Sequence, residues 1–264
     1  MSLYPLRVID QMGRELILPR KPQRIISLVP SQTELMFDLN LNSEVVGITK
    51  FCIHPDEWFR TKTRIGGTKQ LNIELIRQMQ PDLIIGNKEE NEKSQIEILQ
   101  KEFPLWMSDI SNLDDALRMI REIGILTSTS ASADEIAEQI EKNFKLLRAS
   151  DKSLRTLYLI WHKPNMCAGS KTFIHDMLEK CGLINASIES RYPELSDEEI
   201  VRMNPELILL SSEPYPFKEK HIAHFRKLLP SAQVKLVDGE MFSWYGSRLL
   251  HSPSCFNKLL ADLQ

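Results

Sequence analysis

The sequence predicts an α/β protein with two Rossmann-like lobes, each built on a central and mostly parallel sheet, joined by one long backbone helix. Three observations predict this fold: a strand–helix–strand unit near the N-terminus, a gapless internal repeat, and a stretch of helical periodicity between the two copies. The 264 residues are enough for two such lobes. We place the N-terminal lobe at residues 1–129, the connecting helix at 130–151 and the C-terminal lobe at 152–264, with a ligand cleft between the lobes.

The N-terminal elements predict a hairpin followed by a parallel sheet. Residues 8–18 alternate around a glycine-containing turn, which is typical of a hairpin. Arg24–Val29 is a short apolar run of the kind that forms a buried parallel strand. Ser31 and Glu34 have the spacing of a capping box, which predicts a helix before the next strand at Val45–Ile48. A strand, a helix and a second strand in this order indicate a βαβ unit.

The repeat pairs residues 72–89 with residues 196–213. Each copy contains a helix-capping residue, a short amphipathic helix, a proline (Pro81 or Pro205), an acidic residue and an apolar strand. A weaker match pairs 24–31 with 155–162, and a helix over 172–181 follows the second copy. Similar units in the same order predict two similar lobes, although helix–proline–strand units can also recur by chance.

The stretch from 130 to 150 contains neither glycine nor proline. Ser132 and Glu135 can form a capping box at its start. An apolar stripe recurs at helical spacing, formed by Ile136, Ile140, Phe144 and Leu147. Such a helix would span about 27 Å, so we expect a rigid strut rather than a flexible linker.

Ligands of open parallel sheets bind beyond the carboxyl ends of the strands. The candidate ligand contacts are therefore Pro30, Ser31, His54, Thr68 and Lys69 in the first lobe, and Trp161, His162, Trp244, Tyr245 and Arg248 in the second. Aromatic faces with a few polar groups suit a large, planar and partly apolar ligand. The alternative is that Trp161 and Trp244 are ordinary core residues.

The composition excludes several classes of function. A net charge of −3 argues against a protein that binds duplex nucleic acid. No apolar run approaches the roughly 18 residues that a membrane span needs. The four cysteines are scattered, so we expect free thiols rather than a zinc site or disulfides, and no intrinsic cofactor. No phosphate-binding loop, nucleophile elbow or HExxH helix is present, and we expect no enzyme activity.

Five segments resemble the helical-backbone class of substrate-binding proteins of ABC transporters. They are Arg24–Leu35, Ile65–Lys69, Pro81–Ile85, Thr172–Leu178 and Ser243–Arg248. The resemblance is strongest to the members that bind vitamin B12 (cobalamin), with siderophore and haem receptors more distant. It implies a monomeric receptor in the periplasm or cell envelope. This receptor would hold a corrinoid such as cobalamin, or an iron chelate (haem or a ferric siderophore), for an ABC transporter permease.

The resemblance also implies that one acidic residue on each lobe docks onto arginines of the permease. Glu89 and Glu213 occupy equivalent positions of the repeat, so we assign them this role. Glu90, Glu92 and Glu219 are neighbouring alternatives, and all of these residues could be ordinary solvated acids.

Two other functions remain open. A zinc or manganese receptor would use the six histidines, but we expect only His54 and His162 at the cleft, and we expect His221 and His224 to be solvated on a surface helix. His162 or Tyr245 could instead be an axial ligand to corrinoid cobalt or haem iron. A cytoplasmic corrinoid-handling protein or enzyme is the second alternative, because residues 1–14 lack the layout of a secretory signal.

Overall fold

The computed structural model describes residues 4–263, so residues 1–3 and 264 of the predicted lobes lie outside the described part. The described residues form two compact units. The first contains residues 4–110, 114–141 and 245–248, and the second contains residues 111–113, 142–244 and 249–263. Tyr245 and Arg248, which we expected in the C-terminal lobe, therefore belong to the first unit. The other lobe boundaries stay a prediction.

The first unit is built on a parallel sheet. A separate antiparallel hairpin, β1 (Leu6–Ile9) and β2 (Glu15–Leu18), forms where the sequence predicts it. The sheet strands are β3 (Ile25–Ser27), β4 (Val45–Ile48), β5 (Thr63–Arg64), β6 (Leu83–Asn87) and β7 (Leu105–Ser108). Their order is β5-β4-β3-β6-β7, and every neighbouring pair is parallel. The helices of this part of the chain are α1 (Pro30–Asp38), α2 (Asp56–Thr61), α3 (Ile73–Met79), α4 (Lys93–Leu99) and α5 (Leu113–Thr127).

The second unit has a mixed sheet with a parallel centre. Its strands are β8 (Arg155–Trp161), β9 (Asn165–Cys167), β10 (Ile184–Asn185), β11 (Glu194–Leu195), β12 (Leu207–Ser211) and β13 (Gln233–Val237). β8, β12 and β13 run parallel, while β9 and β11 add antiparallel strands at one side. The helices are α7 (Phe173–Lys180), α8 (Asp197–Met203), α9 (Glu219–Leu228), α10 (Gly239–Ser243) and α11 (Ser252–Ala261), with a short 3₁₀ helix at Ser247–Leu250.

The predicted repeat is present in three dimensions. The side chains of Asn72 and Ser196 cap α3 and α8 by accepting a hydrogen bond from the amide three residues on. Both helices end at a residue in the left-handed region, Gln80 and Asn204, each with a φ of 47°. A proline follows in each copy and prevents the helix from continuing.

The same hydrogen bonds join each repeat to the strand beside it. The guanidinium of Arg24 donates to the last carbonyl of α3 at 2.6 Å, and that of Arg155 donates to the last carbonyl of α8 at 2.9 Å. The amides of these two arginines donate to the carboxylates of Asp82 and Glu206, at 2.7 and 2.9 Å. The two units therefore share these local hydrogen bonds as well as their order of elements.

The connecting helix α6 spans Ser130–Lys145 and is shorter than predicted. The capping box at Ser132 and Glu135 is wrong, because the amide of Ala133 already donates to the carbonyl of Thr129 at 3.0 Å. The helix therefore starts at Ser130, three residues before the start that a cap at Ser132 would give. Its buried stripe consists of Ala133, Ala137 and Ile140. Beyond Lys145 the chain tightens into i→i−3 turns, which end the helix six residues before the end predicted at residue 151. In residues 4–263, no helix is both long and apolar enough to cross a membrane.

Candidate functional site

A layer of buried polar side chains lies at the carboxyl ends of the strands in the first unit. Ser27, Asn87 and Ser108 end β3, β6 and β7, and all three are buried. The hydroxyl of Ser108 accepts hydrogen bonds from Gln32 at 2.7 Å and from Asn87 at 2.9 Å. This edge of the sheet is therefore lined by a network of hydrogen-bonded polar side chains, and it is not part of the apolar core.

The loop after β4 exposes two apolar side chains. Phe51 is 51% exposed and Ile53 is 45% exposed. Between them, Cys52 is buried with its sulfur 3.1 Å from the hydroxyls of Thr33 and Thr49, and burial raises the pKa of its thiol. The thiol anchors the loop. The sequence places this segment at a strand end and we selected only His54 from it as a ligand contact, whereas Phe51 and Ile53 are the apolar side chains that the structure exposes here.

Thr68 and Lys69 lie in the tight loop after β5. Thr68 is buried, and its carbonyl accepts a hydrogen bond from Asn91 at 3.2 Å. The ammonium of Lys69 donates to the carbonyl of Glu89, in the loop after β6. Lys69 thus ties two loops together at the same edge of the sheet. The predicted docking residue Glu89 is half-buried at this junction.

Arg248 is paired inside the first unit rather than open to a ligand. Its Nε donates to Oε2 of Glu34 at 2.9 Å, and its Nη2 donates to Oε1 of the same carboxylate. The capping box predicted at Ser31 is wrong, because α1 starts at Pro30 and Glu34 faces Arg248 instead of the helix start. The carbonyl of Ser31 lies so close to Gly246 that a Cβ there would stand 2.3 Å away. Residues 245–248 are therefore seated on the first turns of α1, with Tyr245 buried.

Aromatic residues mark the carboxyl edge of the second sheet. Trp161 ends β8 and is 40% exposed. Tyr215 follows β12, the strand beside β8, and its ring centroid is 5.5 Å from that of Trp161 at an angle of 63°. Because the two strands are parallel neighbours, their ends bring both rings to one edge. The sequence did not single out Tyr215, since its loop shows no pattern that separates it from Phe217.

A cluster of imidazoles adjoins these rings. The ring centroid of His162 is 5.2 Å from that of His221 and 5.6 Å from that of His224. Our prediction that both helical histidines are solvated is wrong for His221, which is only 5% exposed. Burial, and then the neighbouring His162, lower the pKa of His221. His224 is exposed as expected.

Hydrogen bonds link His162 to the next helix. Its Nδ1 is 2.8 Å from Oδ1 of Asn165, whose amide donates to Asp197 at 2.9 Å. Asp197 in turn lies 3.3 Å from Nε2 of His224. A cavity of about 500 Å³ opens here, lined by His162, Lys163, Pro164, Asn165, Glu194, Leu195, Ser196, Asp197, Glu199 and His224. Within residues 4–263, no three His, Cys, Asp or Glu side chains are placed to hold a metal ion.

Glu213 and Trp244 are packed together in the interior of the second unit. Trp244 is only 6% exposed, and its indole N–H donates to Oε1 of Glu213 at 3.1 Å. The hydroxyl of Ser243 donates to the same oxygen at 2.6 Å, and burial raises the pKa of Glu213. Glu213 and Glu89 do follow equivalent strands by two residues, as predicted. However, the carboxylate of Glu213 is an internal acceptor, which differs from the exposed acid that docking requires.

Comparison with known proteins identifies relatives along most of the chain. The vitamin B12-binding protein of Pectobacterium carotovorum is 24% identical over 237 residues, covering 87% of this chain and 85% of the relative. The haem-binding protein HutB of Vibrio cholerae has a TM-score of 0.75 at 21% identity, covering 90% of this chain and 98% of HutB. The molybdate-binding protein MolA of Haemophilus influenzae reaches 0.81 at 17% identity, covering 97% of this chain and 91% of MolA.

HutB and MolA share the fold of this chain, and the three proteins are named for different ligands. The structural likeness therefore supports the architecture, and the names do not select a ligand for this chain. The sequence model described as "Periplasmic binding protein" matches residues 25–228, from the first sheet strand to the end of α9. This match covers most of both units. The chain belongs to the periplasmic binding protein family.

Proposed function

We propose that the protein is the substrate-binding protein of an ABC importer and that its ligand is a corrinoid such as cobalamin. The observation that carries this proposal is the character of the strand ends. The carboxyl edge of the first sheet exposes Phe51 and Ile53, and that of the second exposes Trp161. Exposed aromatic and aliphatic groups at these positions suit a large ligand with flat, partly apolar faces. That the ligand touches both edges, as the sequence predicts, remains a prediction.

The cations near the first edge favour a corrinoid over an anionic iron chelate. Arg248 is paired with Glu34, Lys69 donates to a carbonyl, and Lys88 lies 2.7 Å from Asp109. Haem propionates and acidic siderophores are bound well by available guanidinium or ammonium groups. The carboxamide groups at the rim of a corrinoid need neutral donors and acceptors instead. The pairing of these three cations therefore favours the less charged ligand, and Lys50, whose ammonium lies 5.1 Å from the ring centroid of Phe51, is the cation of this edge that an anionic ligand would use.

Haem or a ferric siderophore is the second candidate ligand, and His162 is the observation that favours haem. Asn165 accepts from Nδ1 of His162 if that nitrogen carries the proton, which leaves the lone pair on Nε2. A neutral imidazole oriented by a hydrogen bond at its other nitrogen is a good axial ligand. The same nitrogen could bind corrinoid cobalt. Tyr245 is less suited to this role because it is buried in the first unit.

The rest of the proposed role follows from the family. Its members bind small molecules and deliver them to ABC permeases, and we extend this delivery to the present chain. We propose that it works as a monomer in the periplasm or cell envelope, without an intrinsic cofactor and without catalysing a reaction. Glu89 remains the proposed docking residue on the first unit.

Titration of the purified protein tests the ligand. Cyanocobalamin, cobinamide, haemin and a ferric hydroxamate are each added while visible absorbance and tryptophan fluorescence are followed. We expect a corrinoid to saturate one site and to quench fluorescence, because Trp161 is exposed at the strand ends. Phe51→Ser should weaken binding, whereas Ile17→Ser, a change at an exposed residue of the separate hairpin, should not. Folded protein that binds none of the four ligands, or prefers haemin, would contradict the corrinoid proposal.

A further inference from the structure

We propose that Tyr215 and Trp161 form an aromatic platform for one flat face of the ligand, and that His221 is the residue that positions Tyr215. The inference rests on the proposed function, since it describes the same ligand site in more detail. His221 is buried, so its proposed role is to hold Tyr215 and not to contact the ligand.

Two neighbouring aromatic rings pack against Tyr215. The ring of Phe217 lies 4.9 Å from that of Tyr215 at 67°, and Phe217 is buried. The ring of Trp161 lies 5.5 Å from that of Tyr215 at 63°, a second edge-on contact. Tyr215 itself is half-buried, so part of its surface faces solvent. Edge-on and tilted aromatic contacts of this kind hold a ring at a defined angle while leaving a face available.

His221 fixes the hydroxyl of Tyr215 through a defined tautomer. The backbone N–H of Lys218 donates to Nδ1 of His221 at 2.8 Å, so Nδ1 carries the lone pair. The neutral ring then carries its proton on Nε2, which lies 3.1 Å from the hydroxyl oxygen of Tyr215 and donates to it. His221 thus joins the start of α9 to the tyrosine. Both of its nitrogens are used, so it acts through Tyr215 rather than by touching the ligand.

Acid should disturb this arrangement. A proton added to Nδ1 would face the N–H of Lys218 and remove the bond that orients the ring. His162 at the end of β8, and Lys220 and His224 on α9, all disfavour a charge on His221, while Asp197 of α8 faces His224 rather than His221. Below the lowered pKa of His221, the hold on Tyr215 is lost, and ligand affinity should fall with it.

Four variants test the inference with cyanocobalamin as the probe. Tyr215→Ala should weaken binding about tenfold. His221→Leu should weaken it several-fold, whereas His221→Gln should retain affinity, because a glutamine can accept from Lys218 and donate to Tyr215. The matched control is Lys227→Leu on the same helix, a change at an exposed residue that does not line the cavity beside His162. Circular dichroism confirms folding, and Tyr215→Leu, which removes the aromatic ring but fills more of its volume, replaces Tyr215→Ala if the alanine variant unfolds.

The outcomes separate this inference from the proposed function. If the wild type binds none of the probes, the proposed function fails. If the wild type binds and Tyr215→Ala retains full affinity, the platform is wrong. If His221→Gln is as weak as His221→Leu, or Lys227→Leu is equally weak, the positioning role is wrong. As the pH is lowered through the depressed pKa of His221, the wild type should lose more affinity than His221→Gln, and equal losses would contradict the tautomer mechanism.

Discussion

Glu34 and Arg248 are 214 positions apart in sequence, yet two side-chain hydrogen bonds join them within the first unit. Their side chains are only 18% and 14% exposed, so the pair is largely removed from water. A two-pronged pairing of guanidinium and carboxylate fixes geometry as well as charge. The ion pair holds residues 245–248 on α1, and it accounts for a conspicuous arginine that the sequence assigns to the ligand.

The first prediction concerns this ion pair. Arg248→Met should lower the free energy of unfolding by about 2–4 kcal/mol, because it leaves the carboxylate of Glu34 partly buried without its partner. Urea denaturation measures the loss. The control is Arg60→Met, which removes an exposed pair with Asp56 and should change stability by less than about 1 kcal/mol. A stable Arg248→Met protein that no longer binds ligand would restore Arg248 as a ligand contact.

The second prediction compares two tryptophans at the strand-end segments. Trp244→Ala should lower stability by about 3–5 kcal/mol, since it opens a cavity and removes one of the two side-chain donors to Glu213. Trp161→Ala removes an exposed ring and should leave stability nearly unchanged while it weakens ligand binding. Thermal denaturation and fluorescence titration of both variants give the comparison. A melting temperature that falls for Trp161→Ala and stays level for Trp244→Ala would reverse the two assignments.

The third prediction concerns the pH dependence that Glu213 contributes. Burial raises the pKa of Glu213 above its unfolded value, so the folded state holds its proton at a higher pH. Between the ordinary and the raised pKa, the contribution of Glu213 to stability therefore falls as the pH rises. Glu213→Gln keeps an oxygen that can accept from Ser243 and Trp244 and should remove this part of the slope.

Denaturant titrations from about pH 4 to about pH 7 measure how the free energy of unfolding changes with pH, and this is the slope compared between variants. Glu97→Gln, a change at an exposed residue on α4, serves as the control and should leave the slope unchanged. A wild-type slope equal to that of Glu213→Gln would show that the carboxyl titrates as if it were in water.

The fourth prediction concerns docking. Reversing the charge at Glu89 should spare ligand affinity and reduce delivery to the permease, because the residue lies at a loop junction of the first unit. Uptake of labelled ligand by vesicles that carry the cognate transporter measures delivery. Glu97→Lys is the matched reversal on a nearby helix. Equal uptake by Glu89→Lys and wild type would remove the docking role. The corresponding change at Glu213 is uninformative, since a lysine there would be buried.

Local patterns predicted the fold because local chemistry decides it. The capping residues Asn72 and Ser196 and the prolines that follow α3 and α8 act within a few residues, so their effect can be read from the sequence. Parallel strands follow from the βαβ order. The capping box at Ser31 failed for the opposite reason: a distant arginine takes the carboxylate of Glu34, and no local pattern encodes that contact.

The candidate site was less predictable than the fold. Trp161 was found because it ends an apolar strand. The burial of His221 and of Glu213 depends on neighbours from other elements, such as Tyr215 and Trp244, and spacing alone cannot place them. Exposure of Phe51 depends on the anchoring of Cys52 by hydroxyls from two different segments. Side chains whose environment is set by tertiary contacts are those that the sequence missed.

The seating of residues 245–248 on α1 limits how the molecule can be divided into fragments. A gene fragment that stops at Glu141 would encode the first sheet but omit Gly246 and Arg248, although both belong to that half. The product would expose the backbone of Ser31 and leave the carboxylate of Glu34 without Arg248, its counter-ion. A workable single-half protein would have to carry the tetrapeptide along, for example by grafting residues 245–248 onto its new C-terminus through a short glycine-rich tether.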